Sequence, residues 1–113
     1  MPKLLGKRDI RPDKIYKYLL NPDHPDGASK ERFFTSFGFE SSRGDLLSHA
    51  INEHAEEREI AKEVVSPHGR KTIIRCKIKT PDGGNPCIFA VWIQEEKAEE
   101  QSFVTAYPAE KDD

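Results

Sequence analysis

Long apolar runs, cysteines at metal-ligand spacing and phosphate-cradling glycine loops are all missing from this sequence of 113 residues. Without a run near the ~18 apolar residues of a membrane span, and without an apolar core in the N-terminal MPKLLGKRDIRPDK, neither a membrane helix nor a secretory signal is expected. The expected location is cytoplasmic. Its two cysteines, Cys76 and Cys87, have no CxxC spacing and form no four-ligand set with the histidines, so reduced thiols and no structural metal are expected. There is no P-loop, no GxGxxG, no nucleophile elbow and no carboxylate cluster, which argues against nucleotide-phosphate loops, dinucleotide cofactors and hydrolase elbows. No cofactor is expected. The length leaves no room for a second core, and 35% apolar residues against 34% charged make that core thin, while six Phe and a Trp are too many for a disordered chain.

Charge is short too, with a net value of −2, which argues against a protein that coats nucleic acid through bulk charge alone. Its distribution says more than its sum. From Glu95 onward seven acids face only Lys97 and Lys111, which leaves residues 1–94 with 16 basic and 13 acidic side chains. Between Ser66 and Thr80 stand Arg70, Lys71, Arg75, Lys77 and Lys79 with no acid. Edge strands use lysines in this way to prevent pairing, and nucleic-acid faces use them to meet phosphates.

Periodicity divides the chain. Residues 1–11 carry Lys3, Lys7, Arg8 and Arg11 without pattern and read as a flexible basic arm; residues 12–108 read as one domain and 109–113 as an acidic tail. Pro12 suits a first helical position, with Ile15, Tyr18 and Leu19 at i, i+3 and i+4 before Asn21-Pro22 stops a short helix. After the turn-rich NPDHPDG, Ser29 can cap a second helix whose Phe33, Phe34 and Phe37 are expected in the core, with Gly38 closing it. A third helix is expected from about Gly44 to Glu56, with Leu46, Leu47, Ala50 and Ile51 on one stripe. Beyond Glu57 the period changes to two. Residues 59–65, 71–79, 87–94 and 102–107 are β-branched or aromatic runs, and their short connections predict a four-stranded antiparallel meander. The fold class is therefore α+β: two to three N-terminal helices packed on one face of that sheet. The run 87–94 is apolar on both faces and belongs in its middle. Alternation places Ile74, Cys76 and Ile78 opposite Arg75, Lys77 and Lys79, and puts Phe103, Thr105 and Tyr107 on one face of the last strand.

Few side chains can carry chemistry. His54 falls in the third helix's apolar stripe, and His49 lies about 140° away at ~100° per residue; His24 and His68 are in turns. A hydroxyl pair, Thr105 and Tyr107, stands at i, i+2, where it can hold a phosphate. Trp92, the one tryptophan, offers a ring for a base. Arg70 can grip a phosphate in a bidentate way that Lys71 cannot.

The succession LLNPDHPDGASKERFF, NEHA, HGRK, PDGG, AVWI and FVTAYP resembles a bacterial family of unknown function related to polymorphic-toxin C-terminal domains. Its most specific pieces here are Ser29, Lys30, Phe33 and Phe34, then Val91, Trp92 and Ile93, then Val104 to Pro108. That family is similar to the Barnase–EndoU–colicin–RelE superfamily of ribonucleases, which sets N-terminal helices before a four-stranded antiparallel sheet. The resemblance, over roughly residues 16–108, implies Lys30, His54, Arg70, Thr105 and Tyr107 as the matching site positions. It implies metal-independent RNA cleavage by 2′-hydroxyl attack. In that scheme His54 is the base, Lys30 or Arg70 clamps the phosphate, and Thr105 with Tyr107 donates protons or hydrogen bonds; Arg70, Lys71, Arg75, Lys77 and Trp92 bind the RNA. The expected partners are RNA and a cognate antitoxin or immunity protein. The alternative is a non-enzymatic module that binds a partner protein as an immunity protein, antitoxin or regulator does; its acidic C-terminal segment suits a basic nuclease partner.

Overall fold

The computed structural model describes residues 4, 7–25 and 27–109. Lys3 of the basic arm and residues 110–113 of the acidic tail lie outside the described residues. Helix α1 (Pro12–Lys14) runs directly into a π-helical turn (Ile15–Leu19), followed by α2 (Ala28–Ser36), a 3₁₀ turn (Ser41–Arg43) and α3 (Gly44–Glu57). The strands are β1 (Lys7–Asp9), β2 (Ile60–Ser66), β3 (Gly69–Lys77), β4 (Cys87–Glu95) and β5 (Glu100–Pro108). They form one sheet in the order β1-β5-β4-β3-β2. The expected antiparallel meander is β2 to β5, with apolar β4 central.

One edge corrects the expectation of a four-stranded, wholly antiparallel sheet. Residues 7–9, read as part of the arm, pair in parallel with β5, Lys7 opposite Glu100 and Asp9 opposite Ser102. A three-residue charged strand has no alternation to read. Arg8 fixes it from the helix side, donating to Asn52 at 2.6 Å and to Glu56 at 2.9 Å.

The π turn, α2 and α3 pack their buried residues on one side of the sheet, and α1 sits at the β5 margin. Ile15, Leu19, Phe34, Leu47 and Ile51 meet Ile74, Ile88, Ala90, Trp92, Phe103 and Ala106 in a single core. The register of β5 decides which residues those are. Trp92 pairs with Phe103 but Val91 with Thr105, so Val104 is an extra, bulged residue. The bulge sends Phe103 to the helices and Thr105 and Tyr107 to the other side, correcting the expectation that all three share a face.

Three further expectations change for similar reasons. Only Phe34 of the α2 trio is buried; Phe33 and Phe37 pack partly, stacked edge-on at 5.3 Å. Leu46 is 41% exposed, and the buried stripe of α3 is Leu47, Ala50, Ile51, His54 and Ala55. In β3 the alternation ends at Cys76, which has a φ of +153° and an exposed side chain. Its carbonyl turns inward to accept from His54 instead. Beyond it Lys79 swings to α3, 3.4 Å from both Glu53 and Glu57, so Arg75, Lys77 and Lys79 do not share one strand face. The two carboxylates hold the Lys79 ammonium above its ordinary range.

Candidate functional site

The segment between α1 and α2 builds the most chemically concentrated site. Ile15 and Leu19 are sunk in the core, and the π-helical hydrogen bond from the Leu20 amide to the Ile15 carbonyl, 2.9 Å, widens the turn between them. Such wide turns recur at functional sites because they re-aim a side chain. Here the side chain is Tyr18. Its hydroxyl shares a 2.9 Å hydrogen bond with the Thr105 hydroxyl, on the strand residue that the β5 bulge turns outward.

Two ammonium groups flank the Tyr18 ring, Lys14 at 5.7 Å and Lys30 at 5.4 Å from its centroid, both in reach of a cation–π attraction. The His24 ring meets it edge-on at 5.0 Å. The Gly27 amide donates to His24 Nδ1 at 3.0 Å, which leaves the imidazole proton on Nε2. Gly27 is required by this packing: a β-carbon there would collide with the Tyr18 carbonyl oxygen. The result is a groove of about 610 Å³ walled by Arg11, Lys14, Lys17, Tyr18, His24 and Thr105, with Asp13 and Val104 completing it. Asp13 lies 3.8 Å from Lys17, so the cations outnumber the acid. Convergent cations beside a hydroxyl pair suit a phosphate diester.

Of the residues expected at a site, Lys30 and Thr105 are brought together here, through Tyr18. The others are dispersed. His54 is 3% exposed, and its Nε2–H donates to the Cys76 carbonyl at 3.0 Å. Its Nδ1 has no partner among the described residues, and burial pushes its proton affinity below the ordinary histidine range. His54 is thus placed in the core, where it joins α3 to β3, and not at the open cleft expected of a general base. Trp92 is fully buried, edge-on to Phe103 at 5.4 Å, so it has no free face for a base. Tyr107 stands on the open side of the sheet, its ring 5.4 Å from Phe89, and the Arg75 guanidinium lies 5.8 Å from the Phe89 centroid. Arg70 is at the β2–β3 hairpin beside Gln94, Glu95 and Lys97; Lys71 and Lys77 are exposed.

Sequence reasoning passed over Arg11, Lys14, Lys17, Tyr18 and Phe89 as site residues. The spacing of Lys14 and Tyr18 at i, i+4 was a readable signal, whereas the π turn that aims Tyr18 at β5 was not.

The fold and groove together define an α+β domain with helices on one side of a mixed sheet and a cationic groove at the β5 margin. The chain matches, over residues 2–110, the family described as Domain of unknown function (DUF6883), and it belongs to that family. No curated protein matches it. Among solved structures it is similar to a chain of a contact-dependent growth inhibition toxin–immunity protein complex from Klebsiella pneumoniae 342, with a TM-score of 0.71 and 14% sequence identity, covering 88% of this chain and 98% of that one. At that identity the likeness establishes a shared fold.

Proposed function

We propose that this chain is a toxin-related, ribonuclease-like domain that cleaves RNA without a metal, and that its reaction site is the Tyr18 groove. The observation that carries this reading is the Tyr18–Thr105 hydroxyl pair in a groove walled by Arg11, Lys14 and Lys17, with Lys30 against the Tyr18 ring. In such a cleavage the 2′-oxygen bonds to phosphorus as the bond to the 5′-oxygen breaks, leaving a cyclic phosphate. The 2′-hydroxyl proton passes through the Tyr18 and Thr105 hydroxyls to water, and His24 offers its Nε2 proton to the leaving 5′-oxygen. Arg11, Lys14 and Lys17 meet the charge that grows on the phosphorane, the largest contribution such a site makes. The origin of the similar fold in a toxin–immunity complex supports a toxin-related role, with a cognate immunity protein or antitoxin as partner; cytoplasmic RNA as substrate is inferred from the groove's cations and hydroxyls alone.

Incubating the purified protein with total RNA in EDTA tests this. Fragments ending in 2′,3′-cyclic phosphate are expected, and Tyr18→Phe should slow their release by about 10²–10⁴-fold, the range for losing a proton-transfer group, with circular dichroism unchanged. If the wild type cleaves no RNA, the enzyme reading falls. A second reading, a protein-docking module on the same fold, is favoured by the outer strand β2, where Val64 is 40% and Val65 76% exposed beside an open edge.

A further inference from the structure

We infer that the side of the sheet turned away from the helices is a binding surface for single-stranded RNA, on which Phe89 and Tyr107 stack bases while Lys62, Lys71 and Arg75 meet phosphates; this rests on reading the Tyr18 groove as a site of RNA cleavage. The strand register defines the surface. Lys62 pairs with Ile73 and Val64 with Lys71, Arg75 with Phe89, and Phe89 with Tyr107, and residues opposite one another share a side. Alternation then gives that side Lys62, Lys71 and Arg75, with Phe89 and Tyr107 in line with Arg75.

Its acids stand apart from its rings along the strands, with Lys7 and Lys71 at the acidic end. The acids of this side, Asp9, Glu95 and Glu100, gather at the end of the sheet where Lys7 pairs with Glu100 and Gly69 with Glu95. Arg75 and the two rings stand toward the opposite end. Phe89 and Tyr107 are tilted by 42° at 5.4 Å and only half-buried, unlike Trp92 and Phe103 of the same strands. A large aromatic pair left on a sheet face, next to a guanidinium, has the composition of a nucleobase platform, because every base has a π-face and stacking needs no particular sequence. Paired bases in a duplex keep their faces covered, so such a platform selects single strands.

The platform also leads somewhere. Thr105 lies two residues before Tyr107 on the same side of β5, ~7 Å away at the rise of a strand, and Thr105 is the residue that bonds Tyr18 in the groove. A strand stacked on Tyr107 and Phe89 is thus delivered with its next phosphate toward Lys14 and Lys17.

The test separates the platform from the groove. Fluorescence anisotropy with a short 2′-O-methyl oligoribonucleotide, which lacks the attacking hydroxyl, reads binding alone; release of products from an abasic dinucleotide, which keeps the 2′-hydroxyl and the phosphate diester but has no base to stack, reads the groove alone. Single strands are expected to bind more tightly than the same sequence as a duplex. Phe89→Leu and Tyr107→Leu, which keep apolar volume but lose the ring, should each weaken binding by about 5- to 150-fold, the loss of one stacked base, and leave dinucleotide cleavage unchanged. Lys71→Ala and Arg75→Ala should each lower the slope of log affinity against log salt by about 0.7. Equal binding of duplex and single strand, or unaltered affinity in both leucine variants, overturns the platform while dinucleotide cleavage keeps the groove. Absence of both binding and cleavage removes the two together.

Discussion

The two sides of the sheet are built from the same strands and have opposite fates. On the helix side Ile74, Ala90, Trp92 and Ala106 are fully buried and Phe103 nearly so. On the other, Ile73, Phe89, Ile93 and Tyr107 are half-buried and lie among Lys62, Lys71 and Arg75. Aromatic content does not distinguish them, since each side holds two rings in edge-on or tilted contact. What differs is the covering. Apolar area removed from water stabilises the fold by about 25 cal/mol per Å², and only the side roofed by helices collects it in full. Aromatic residues that contribute less to stability are available for something else.

The sharpest way to break this comparison is to remove a ring from each side. Trp92→Ala should cost about 3–5 kcal/mol, the range for deleting a large buried ring, whereas Phe89→Leu should cost less than about 1.5 kcal/mol. Urea unfolding of the two variants checks this, and equal losses would mean that both sides are core.

His54 gives the next largest effect. His54→Ala removes a packed ring and strands the Cys76 carbonyl, which together should cost about 2–4 kcal/mol, with cleavage per folded molecule unchanged. A fall in cleavage without a fall in stability would return His54 to the chemistry. Its titration has a defined sign. Because burial lowers its proton affinity in the fold, the unfolded chain binds the proton first, so stability should be intact above the ordinary histidine value of ~6.5 and decline as pH falls below it. The carboxyls of Asp45 and Asp82 are held below their usual range, chiefly by hydrogen bonds from Arg43 and from the Gly84 amide, and their contributions are lost only in stronger acid. Thermal unfolding of wild type and His54→Leu between pH 7 and 5 isolates the histidine: the slope should shrink in the variant.

The smallest effect belongs to the sheet edge. Val65→Thr, at a side chain 76% exposed, should change stability by no more than about 0.5 kcal/mol. A larger loss would show that β2 is covered in solution, and light scattering would identify the covering as a second molecule.

Much of the architecture was legible from period alone. The change near Glu57 from a helical to a strand repeat marked the boundary between the helices and the meander, and β4, apolar on both faces, declared its central place. Where the reading failed, a backbone irregularity intervened. The extra residue at Val104 inverted the faces of β5 beyond it, and the turn at Cys76 broke the alternation of β3. Neither leaves a residue-type signature, because the first comes from the register of β4 and β5 and the second from one backbone dihedral inside an unshifted pairing. The candidate site was less legible still. Lys30 and Thr105 were singled out, but Tyr18, which holds them together, was counted as part of a hydrophobic stripe.

The sequence by itself determined which segments are helices, which form the four-stranded meander and which strand is central, because those follow from side-chain period, turn residues and β-branching within a few neighbouring positions; β1, too short to show a period, was left to the tertiary structure. Only the tertiary structure decided that His54 and Trp92 are sealed while Tyr18, Thr105, Phe89 and Tyr107 face outward. That choice depends on which side of the sheet the helices cover, and on one inserted residue in β5 and one widened helical turn. These are long-range packing outcomes: residues 18 and 105 meet only after the whole chain between them has folded.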